Sequence, residues 1–429
     1  MRSREGQSLR VAVIARSVYP LHRFGGLERH VYDLVRSLLS RDVHVTLITP
    51  PASARRPADA AADAVFRHAK FTMKPVPYVT FPFANRRGTT ILDRSTAYPL
   101  FGLRAGRLAA GMVRAGDIDI VHGLGASVLG YAVDNLDPEV RAPLVFNPQG
   151  LEEFGATDPS RAPLKRLGYW PLRIAVRRAA RAADRVIATD RSLVAPVISH
   201  LGISKDVVRV IPNAIEPAEC DRPDARGRGQ ALRGELGLQP NDVLLLSVGR
   251  LETNKGFHVL VRALAAMVRQ NALTPRWKWV LVGDGPRRVQ LEHDIIAAGL
   301  TSNVHVTGRV DAVDLHGWYE AATLFVHPTL YEGSSIVTLE AMAHRRTVVA
   351  SRAGGLPDKV IPGVTGWLVP PGNEEALAAA IGKALADPVR LDGMGAAGRA
   401  LVDKEFSWSA ATDRLLNVYG ELLALRDSL

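Results

Sequence analysis

Residues 9–49 read LRVAVIARSVYPLHRFGGLERHVYDLVRSLLSRDVHVTLIT and contain a complete strand–helix–strand unit. The apolar run Leu9–Ala15 predicts a buried strand, and a loop with two adjacent glycines follows it. The apolar spacing from about Leu27 to Ser40 predicts a helix, and Val43–Thr49 predicts the next strand. This order is typical of a parallel sheet covered by helices on both faces.

The same alternation of short apolar runs and amphipathic helices continues along the chain. The next predicted strands are Ile118–His122, Leu144–Asn147, Arg185–Thr189 and Val208–Ile211. A second series comprises Val243–Val248, Trp279–Val282, Val304–Val306, Leu324–Val326, Thr347–Ala350 and Trp367–Val369. We expect Pro50–Ala97, which contains several Pro and Arg residues, to be a long irregular loop region, and Ser409–Leu425 to be a helix.

These two series predict two domains. At 429 residues the chain is too long for one core and suits two domains of ordinary size. Residues 216–240 interrupt the pattern with many Pro, Gly and charged residues, which is typical of a linker. We therefore predict an α/β protein with a doubly wound, Rossmann-like domain at 1–215, a second at 241–408, and a C-terminal helix at 409–429.

The composition excludes several classes of protein. Because Cys220 is the single cysteine, an internal disulfide and a Cys-rich metal site are excluded, and we expect a reducing, cytoplasmic location. The apolar run Val11–Ala15 is too short for a secretory signal. No stretch reaches the roughly 18 apolar residues needed to span a bilayer. The sequence therefore predicts a soluble or peripheral protein.

The net charge of +11 is concentrated in the first half of the chain. Residues 1–215 contain 31 Lys and Arg against 18 Asp and Glu, whereas residues 216–429 contain 23 against 25. A basic half suggests an anionic partner, such as a membrane surface or a phosphorylated acceptor; a well-solvated basic surface is the alternative. Aromatic residues make up only 6% and no basic stacking motif occurs, so we expect no nucleic-acid partner.

The first motif that carries chemistry is SVGRLETNKGF, residues 247–257. It places Arg250 and Lys255 in the loop that follows a predicted strand, and Gly256 frees the backbone there. Arg offers a planar pair of donors to phosphate oxygens and Lys a mobile charge, so the loop suits a diphosphate. Taken alone, such a loop is more often an ordinary surface feature.

The second motif is YEGSSIVTLEAMA, residues 331–343. Its apolar spacing predicts a helix over Ile336–Ala343, capped by Ser335 or Ser334. The first backbone N–H groups of that helix would form an anion site. Glu332 and Glu340 could then accept hydrogen bonds from the hydroxyls of a sugar and a ribose. A purely electrostatic preference for the helix start is the alternative.

Taken together, these motifs resemble those of the retaining glycosyltransferases of family 4. The C-terminal half contains, in the expected order, VGRLETNKG (248–256), LVGDGP (281–286), VTGRV (306–310), EGSSIVTLEAMA (332–343) and SRAGGLPDKV (351–360). The N-terminal half contains GGLERHVYDLVRSLL (25–39), DIVHGLG (119–125), ADRVIATD (183–190) and VIPNAIE (210–216). The resemblance implies the GT-B fold, with two Rossmann-like domains facing across a cleft and a C-terminal helix that crosses back to the N-terminal domain.

The resemblance also implies roles in binding a nucleotide-sugar donor. Arg250 and Lys255 would bind the diphosphate, and Glu340 the ribose hydroxyls. Val310 would lie against the base, which leaves UDP and GDP open. Gly25 and Gly26 would pass close to the phosphates from the other domain, because a residue without a side chain lets the backbone approach.

The sugar-binding residues are a further implication. Glu332 would contact the transferred sugar, and backbone groups of Ser334, Ser335, Ile336 and Val337 would hold sugar and phosphate. The family often has Phe-Gly where this chain has Ser334-Ser335. This departure leaves the sugar open. A second departure, His344-Arg345-Arg346-Thr347 in place of Gly-x-Pro, follows the predicted helix.

For catalysis, the resemblance implies a same-face reaction in which the departing phosphate helps to deprotonate the acceptor. His122, predicted at the end of a strand, matches the active-site His of the family and would contact the sugar together with Glu332. Glu152 and Glu153 are alternative acid or base candidates. Asp117-Ile118-Asp119 has a DxD pattern but leads into a predicted strand, so we expect no metal ion. LVGDGP lacks the third glycine of a dinucleotide site.

The sequence signals for an acceptor are less specific than those for the donor. Arg173, Arg177 and Arg181 share one face of a predicted helix, with Ile174 and Val176 on the opposite faces. Such a helix suits either an anionic membrane or plain solvent. We expect a hexosyltransferase with a glycan, lipid-linked or small-molecule acceptor, attached peripherally to the inner face of the plasma membrane if the helix binds lipid. A GT-B epimerase and an inactive nucleotide-sugar-binding protein are the alternatives.

Overall fold

The computed structural model divides the chain into two compact units, Met1–Pro212 with Ala411–Leu429, and Asn213–Ala410. The residues that the structure describes are 8–22, 25–53, 64–79, 90–148, 151–154, 167–273 and 276–428. Within these residues, no helix is long and apolar enough to span a membrane.

The first unit alternates strands and helices. Its strands are β1 (Arg10–Ile14), β2 (His44–Thr49), β3 (Phe71–Pro75), β4 (Ile120–Leu124), β5 (Leu144–Asn147), β6 (Arg185–Ala188) and β7 (Val208–Val210). Its helices are α1 (Gly26–Ser40), α2 (Thr90–Arg114), α3 (Leu129–Ala132), α4 (Trp170–Arg181) and α5 (Val194–Leu201).

The second unit repeats this alternation. Its strands are β8 (Val243–Val248), β9 (Trp277–Val282), β10 (Val304–Gly308), β11 (Leu324–His327), β12 (Val348–Ser351) and β13 (Gly366–Val369). The helices are α6 (Pro217–Cys220), α7 (Pro223–Glu235), α8 (Phe257–Arg269), α9 (Arg288–Ala297), α10 (Ala312–Ala321), α11 (Ile336–Ala343), α12 (Leu356–Lys359), α13 (Glu374–Leu385), α14 (Pro388–Leu401) and α15 (Trp408–Asp427), the last of which lies in the first unit from Ala411 onwards.

Each unit is built on one parallel sheet. The order is β3-β2-β1-β4-β5-β6-β7 in the first and β10-β9-β8-β11-β12-β13 in the second. All strand pairs between named strands are parallel. The order reverses between β1 and β4, and again between β8 and β11, and loops at such reversals form the binding crevices of doubly wound sheets. The predicted α/β class is confirmed.

Helices cover both faces of the second sheet. Along β8, Val243 and Leu245 belong to one apolar core, whereas Leu244 and Leu246 belong to another. This alternation follows from the two-residue period of a strand. Because both faces are buried, the strand is apolar at nearly every position, as the sequence indicates.

Two segments predicted to be irregular contain regular secondary structure. Pro50–Ala97, predicted to be irregular, contains β3 and the beginning of α2; β3 is partly exposed, so it lacks the apolar run of a buried strand. Residues 216–240, predicted to be a linker, contain the helices α6 and α7. Gly229 allows α7 to pack closely on α10, since a Cβ atom there would lie 2.9 Å from the carbonyl oxygen of Gly317.

Candidate active site

The candidate donor site lies in the second unit, where the strand order reverses. The loop 249–256 follows β8, and the loop 328–335 follows β11. These neighbouring parallel strands end at the same edge of the sheet, so the loops lie side by side. The topology therefore brings the two predicted motifs together, although about 75 residues separate them in the chain.

A buried carboxylate links the two loops. Glu332 Oε2 accepts hydrogen bonds from Lys255 Nζ at 2.7 Å and from His327 Nε2 at 2.8 Å. The side chains of Glu332 and Lys255 are 11% and 18% exposed, and that of His327 is fully buried. Burial alone would raise the pKa of Glu332, but the hydrogen bond from His327 and the charge of Lys255 outweigh it and lower the pKa to about 2. Glu332 is therefore ionised at neutral pH.

Backbone hydrogen bonds fix the two loops to each other. The carbonyl oxygen of Asn254 accepts from Leu330 N at 2.7 Å and from Thr329 Oγ1 at 2.9 Å. Gly256 has φ +68°, and a Cβ atom there would lie 2.0 Å from the carbonyl oxygen of Pro328. The glycine predicted to free the backbone is thus required both by its dihedral angle and by the close approach of the second loop.

A third segment supports the loop that carries Glu332. Gly355 N donates to Gly333 O at 3.1 Å. Lys359, which is fully buried at the end of α12, donates from Nζ to Ser334 Oγ at 3.1 Å. The predicted sugar-binding serine is consequently in contact with a lysine that the sequence motifs did not single out.

The helix α11 begins where the second motif predicts. Ser335 is the N-cap, and its side chain accepts from Thr338 N. The N–H groups of the first turn, which includes Ile336 and Val337, have no acceptor within the helix. Such groups at a helix start suit an anion, since the helix dipole adds to their effect.

Glu340 is the second carboxylate of the motif. Tyr319 OH donates to Glu340 Oε2 at 2.8 Å, and the Tyr319 ring is fully buried. The hydrogen bond orients the carboxylate, and the Glu340 side chain is half-buried. Such a carboxylate can accept hydrogen bonds from vicinal hydroxyls.

Arg250 and Val310 complete the predicted donor residues. The Arg250 side chain is 71% exposed and pairs with Glu252 at 2.9 Å, so it is accessible to a ligand. Val310 is half-buried and packs against the same apolar core as Ile336 and Val337. The structure thus places the donor residues of the second unit around one sheet edge, and their binding roles remain predictions.

In the first unit, Gly25 and Gly26 lie at the start of α1, in the loop that follows β1. Gly25 has an extended backbone, with φ −173°, and the space around the missing Cβ of Gly26 is open to 4 Å. The N-terminus of α1 is thus accessible to a ligand at the strand-order reversal of the first sheet.

The predicted position of His122 at the end of a strand is wrong. The strand β4 continues to Leu124, because Gly123 and Leu124 pair with Phe146 and Asn147 of β5. His122 is 2% exposed and shares a 2.7 Å hydrogen bond between its Nδ1 and Tyr419 OH. Burial, followed by the nearby His30, lowers the pKa of His122 to about 3, so the ring is neutral at physiological pH.

The remaining acidic candidates from the sequence, Asp119, Glu152 and Glu153, belong to the first unit. Asp119, the second aspartate of the DxD pattern, accepts hydrogen bonds from the backbone N of Arg10 at 2.9 Å and from Arg10 Nη2 at 2.7 Å. Glu153 is buried in the first unit, whereas the side chain of Glu152 lies outside the described part of the chain.

Sequence reasoning missed three residues of the donor site, His327, Tyr319 and Lys359. His327 carried a usable signal, since it ends a buried strand five residues before Glu332. The other two lie on helices, where no local pattern indicates which carboxylate or hydroxyl they contact.

Known proteins are similar to this chain over most of its length. Residues 24–219 match the family model Glycosyltransferase Family 4, and residues 230–401 match Glycosyl transferases group 1. Alpha-maltose-1-phosphate synthase of Mycobacterium tuberculosis is 30% identical over 435 residues, covering 97% of this chain and 100% of the relative. D-inositol 3-phosphate glycosyltransferase 1 of Catenulispora acidiphila is 30% identical over 407 residues, covering 92% and 90%.

Solved structures share the fold. Sucrose-phosphate synthase of Thermosynechococcus elongatus has a TM-score of 0.72 at 24% identity, covering 97% of this chain and 100% of that one. Anabaena HepE in complex with UDP-glucose has a TM-score of 0.64 at 20% identity, covering 96% and 100%. From the two sheets, the matched family models and these relatives, we conclude that the chain is a glycosyltransferase of family 4 with the GT-B fold.

Proposed function

We propose that the protein transfers a sugar, with retention of configuration, from a nucleotide-diphosphate sugar to a phosphorylated or lipid-linked acceptor. The observation that carries this proposal is the pair of carboxylates at the edge of the second sheet, one held by Lys255 and His327 and the other by Tyr319. The protein orients both carboxylates, and carboxylate oxygens can accept hydrogen bonds from the hydroxyls of a ligand.

The diphosphate would be bound without a metal ion. Arg250 is exposed and charged, Lys255 lies at the other end of the same loop, and the start of α11 offers unpaired N–H groups. These groups supply positive charge where the leaving diphosphate develops negative charge, which is the usual source of catalysis in such transfers. In the reaction, the bond between the anomeric carbon and the phosphate oxygen breaks while the acceptor oxygen bonds on the same face. The acceptor proton passes to the departing phosphate.

The donor is a UDP- or GDP-sugar in this proposal. Val310 offers an apolar surface for a base, and Glu340 suits a ribose. Support for uridine comes from the similar fold of HepE, which was solved with UDP-glucose. Lys359 beside Ser334 adds a polar contact at the sugar position, where Glu332 is the proposed catalytic carboxylate.

The acceptor is proposed from the first unit. Its excess of Lys and Arg suits an anionic group. The similar proteins named alpha-maltose-1-phosphate synthase and D-inositol 3-phosphate glycosyltransferase have phosphate in their names, which supports a phosphorylated acceptor. A lipid-linked acceptor of a cell-envelope glycan, reached from the cytoplasmic membrane surface, is the second form of the same proposal.

The donor test uses UDP-, GDP- and ADP-sugars with the wild type, Glu340→Ala and the control Glu375→Ala, whose carboxylate is exposed at the start of α13. We expect one nucleotide sugar to raise the melting temperature of the wild type and of the control. We expect Glu340→Ala to bind it about 10- to 100-fold more weakly, since hydrogen bonds to a charged group contribute about 1.5–3 kcal/mol.

Two outcomes would contradict the proposal. If no nucleotide sugar binds the wild type more tightly than Glu340→Ala, the donor site is wrong. If the wild type releases free nucleotide rapidly and equally with and without every acceptor, an epimerase-like reaction is favoured. With an active acceptor, NMR of the product gives the anomeric configuration, and inversion would exclude the retaining mechanism.

A further inference from the structure

Three side chains that can bind a metal ion meet in the second unit, away from the loops of the donor site. They are Cys220 at the end of α6, His316 on α10 and His344 directly after α11. One possible ligand atom of each residue lies within 4.8 Å of those of the other two. Cys220 and His344 are buried and His316 is half-buried. The three residues come from three separate elements, so the tertiary structure alone brings them together.

The hydrogen bonds of His344 orient its ring for such a role. Nδ1 lies 2.6 Å from Glu320 Oε1, and Nε2 lies 2.9 Å from His316 Nδ1. The Glu320 carboxylate is the acceptor of this pair, so Nδ1 carries the proton and donates it. The lone pair of Nε2 then points toward His316. A metal-binding imidazole commonly donates from its other ring nitrogen to a carboxylate, which fixes the orientation of the ring.

We propose that Cys220, His316 and His344 bind a thiophilic divalent transition-metal ion of the Zn²⁺ class, with Glu320 as the positioning residue behind His344. A Cys-His-His set is typical of zinc and unsuited to Mg²⁺ or Ca²⁺, which prefer oxygen ligands. At a Zn–N distance of about 2.05 Å, two nitrogens of a tetrahedral site are roughly 3.3 Å apart. The two imidazole nitrogens therefore need to separate by only about 0.4 Å from their present 2.9 Å.

The binding step balances without an oxidant or reductant. The Cys220 thiol loses its proton to solvent as the sulfur–metal bond forms. The His316 proton moves from Nδ1 to Nε2, so that Nδ1 becomes a ligand and the ring stays neutral. Water can fill the fourth position, because His316 and Glu320 are both partly exposed.

The ion would hold together the segments next to the ribose-binding carboxylate. The His344 ring stacks on Tyr319 with centroids 5.3 Å apart, and Tyr319 donates to Glu340. The site therefore ties α6, α10 and the end of α11 together one aromatic ring away from Glu340. Because the ion would bind the folded unit, its presence should raise the melting temperature.

The test is titration of chelator-treated, full-length protein with Co²⁺, followed by competition with Zn²⁺. We expect one equivalent to bind, with visible bands of a tetrahedral site and a thiolate charge-transfer band in the near ultraviolet. We expect Zn²⁺ to displace Co²⁺, so that the visible bands and the charge-transfer band disappear, and to raise the melting temperature of the protein. The charge-transfer band should disappear in Cys220→Ser, and Co²⁺ affinity should fall about 10- to 100-fold in Glu320→Gln while the band persists.

Matched variants separate the site from adventitious binding. His316→Gln changes a half-buried ligand and should abolish the tetrahedral bands without unfolding the protein, as circular dichroism would verify. His293→Gln removes an exposed histidine on α9 and should bind Co²⁺ like the wild type. Octahedral Co²⁺ spectra in the wild type, or equal binding by His316→Gln and His293→Gln, would overturn the inference. No nucleotide is needed, so its failure is distinct from that of the proposed function.

Discussion

At the level of single residues, Glu332 has an environment that surface carboxylates lack. The ammonium group of Lys255 and the hydrogen bond from His327 offset the cost of burying its charge and leave the pKa at about 2. The folded state thus binds a proton on Glu332 much less readily than the unfolded chain, whose carboxyl has a pKa near the ordinary value of 4.5.

This difference predicts a pH-dependent contribution to stability. Because the pKa is lowered on folding, the contribution is fully present above about pH 4.5 and is lost as the pH falls toward about 2. A shift of this size corresponds to about 3 kcal/mol. We therefore expect the difference in free energy of unfolding between wild type and Glu332→Gln to shrink from pH 5 to pH 3, as urea denaturation would measure.

The control for this prediction is Glu375→Gln, which removes an exposed carboxylate of the same unit. Its difference from the wild type should vary little over the same range, because exposed charges are well solvated. Parallel curves for Glu332→Gln and Glu375→Gln would show that Lys255 and His327 do not stabilise the ionised form of Glu332.

At the level of elements, the loop that carries Glu332 depends on the turn before α12. Gly354 has φ +51°, and a Cβ atom there would lie 1.7 Å from the carbonyl oxygen of Glu332. The neighbouring Gly355 donates to Gly333. The turn and the donor loop are therefore packed backbone against backbone, with no room for a side chain between them.

We expect Gly354→Ala to displace the donor loop. The clash and the left-handed backbone should lower the free energy of unfolding by about 1–3 kcal/mol and weaken nucleotide-sugar binding. Thermal melting with and without nucleotide would measure both effects. The matched control is Gly382→Ala within α13, where the nearest atom is 3.9 Å away and the substitution should stabilise by about 0.5–1 kcal/mol. Unchanged nucleotide-sugar binding by Gly354→Ala would show that the turn before α12 does not hold the donor loop in place.

The helix α4 has a different exposed face from the one predicted. Arg177 Nε donates to His200 O at 2.7 Å, and the guanidinium groups of Arg173 and Arg177 lie over the Phe154 ring. Ile174, predicted on an opposite face, is 43% exposed, and Trp170 is 61% exposed. The exposed strip thus combines Trp170 and Ile174 with Arg178 and Arg181, which is a better composition for a lipid surface than arginine and alanine alone.

If α4 binds lipid, charge on this strip should set the preference for anionic vesicles. Each basic residue near an anionic surface contributes about 1 kcal/mol, so Arg178→Gln with Arg181→Gln should reduce partitioning roughly 30-fold. Co-sedimentation with phosphatidylserine vesicles at physiological salt would measure it. The control is Arg269→Gln with Lys383→Gln, which changes the charge equally on exposed sites of the second unit. Equal binding to anionic and zwitterionic vesicles would exclude the membrane role.

At the level of the whole molecule, the end of the chain completes the first unit. Ser37 and Thr412 share a buried 2.6 Å hydrogen bond although 375 residues separate them. Arg209 pairs with Glu421 at 3.2 Å, and Tyr419, which is fully buried, shares its hydroxyl with His122. The first unit therefore cannot form its full core before α15 has been synthesised.

Two tyrosine variants should separate the stabilities of the units. Tyr419→Phe leaves the buried Nδ1 of His122 without its partner, which costs about 1–3 kcal/mol, and should speed hydrogen exchange in β1 and β4. Tyr319→Phe should instead speed exchange in α10 and α11 and weaken nucleotide binding, because Glu340 loses the hydrogen bond from the tyrosine hydroxyl. Mass spectrometry of exchanged peptides would measure both variants. Identical exchange patterns in the two variants would show that the two units do not unfold separately.

The sequence by itself determined the fold class, most strand positions and the motifs that indicate the family. Apolar runs such as Val243–Val248 and Leu144–Asn147 match their strands in full, because strands buried on both faces are apolar at nearly every position. The helix Ile336–Ala343 also begins and ends as predicted, because its cap and its apolar spacing are local. Local signals of this kind can be recognised without any knowledge of distant contacts.

Only the tertiary structure decided which residues meet. His327, Tyr319 and Lys359 contact the predicted motif residues from other elements, and Cys220, His316 and His344 converge from three. The position of His122 inside β4 likewise depends on pairing with β5 and on the hydroxyl of Tyr419. Contacts between residues far apart in the chain leave no periodic trace in the sequence, since they are fixed by the order of strands and the packing of helices.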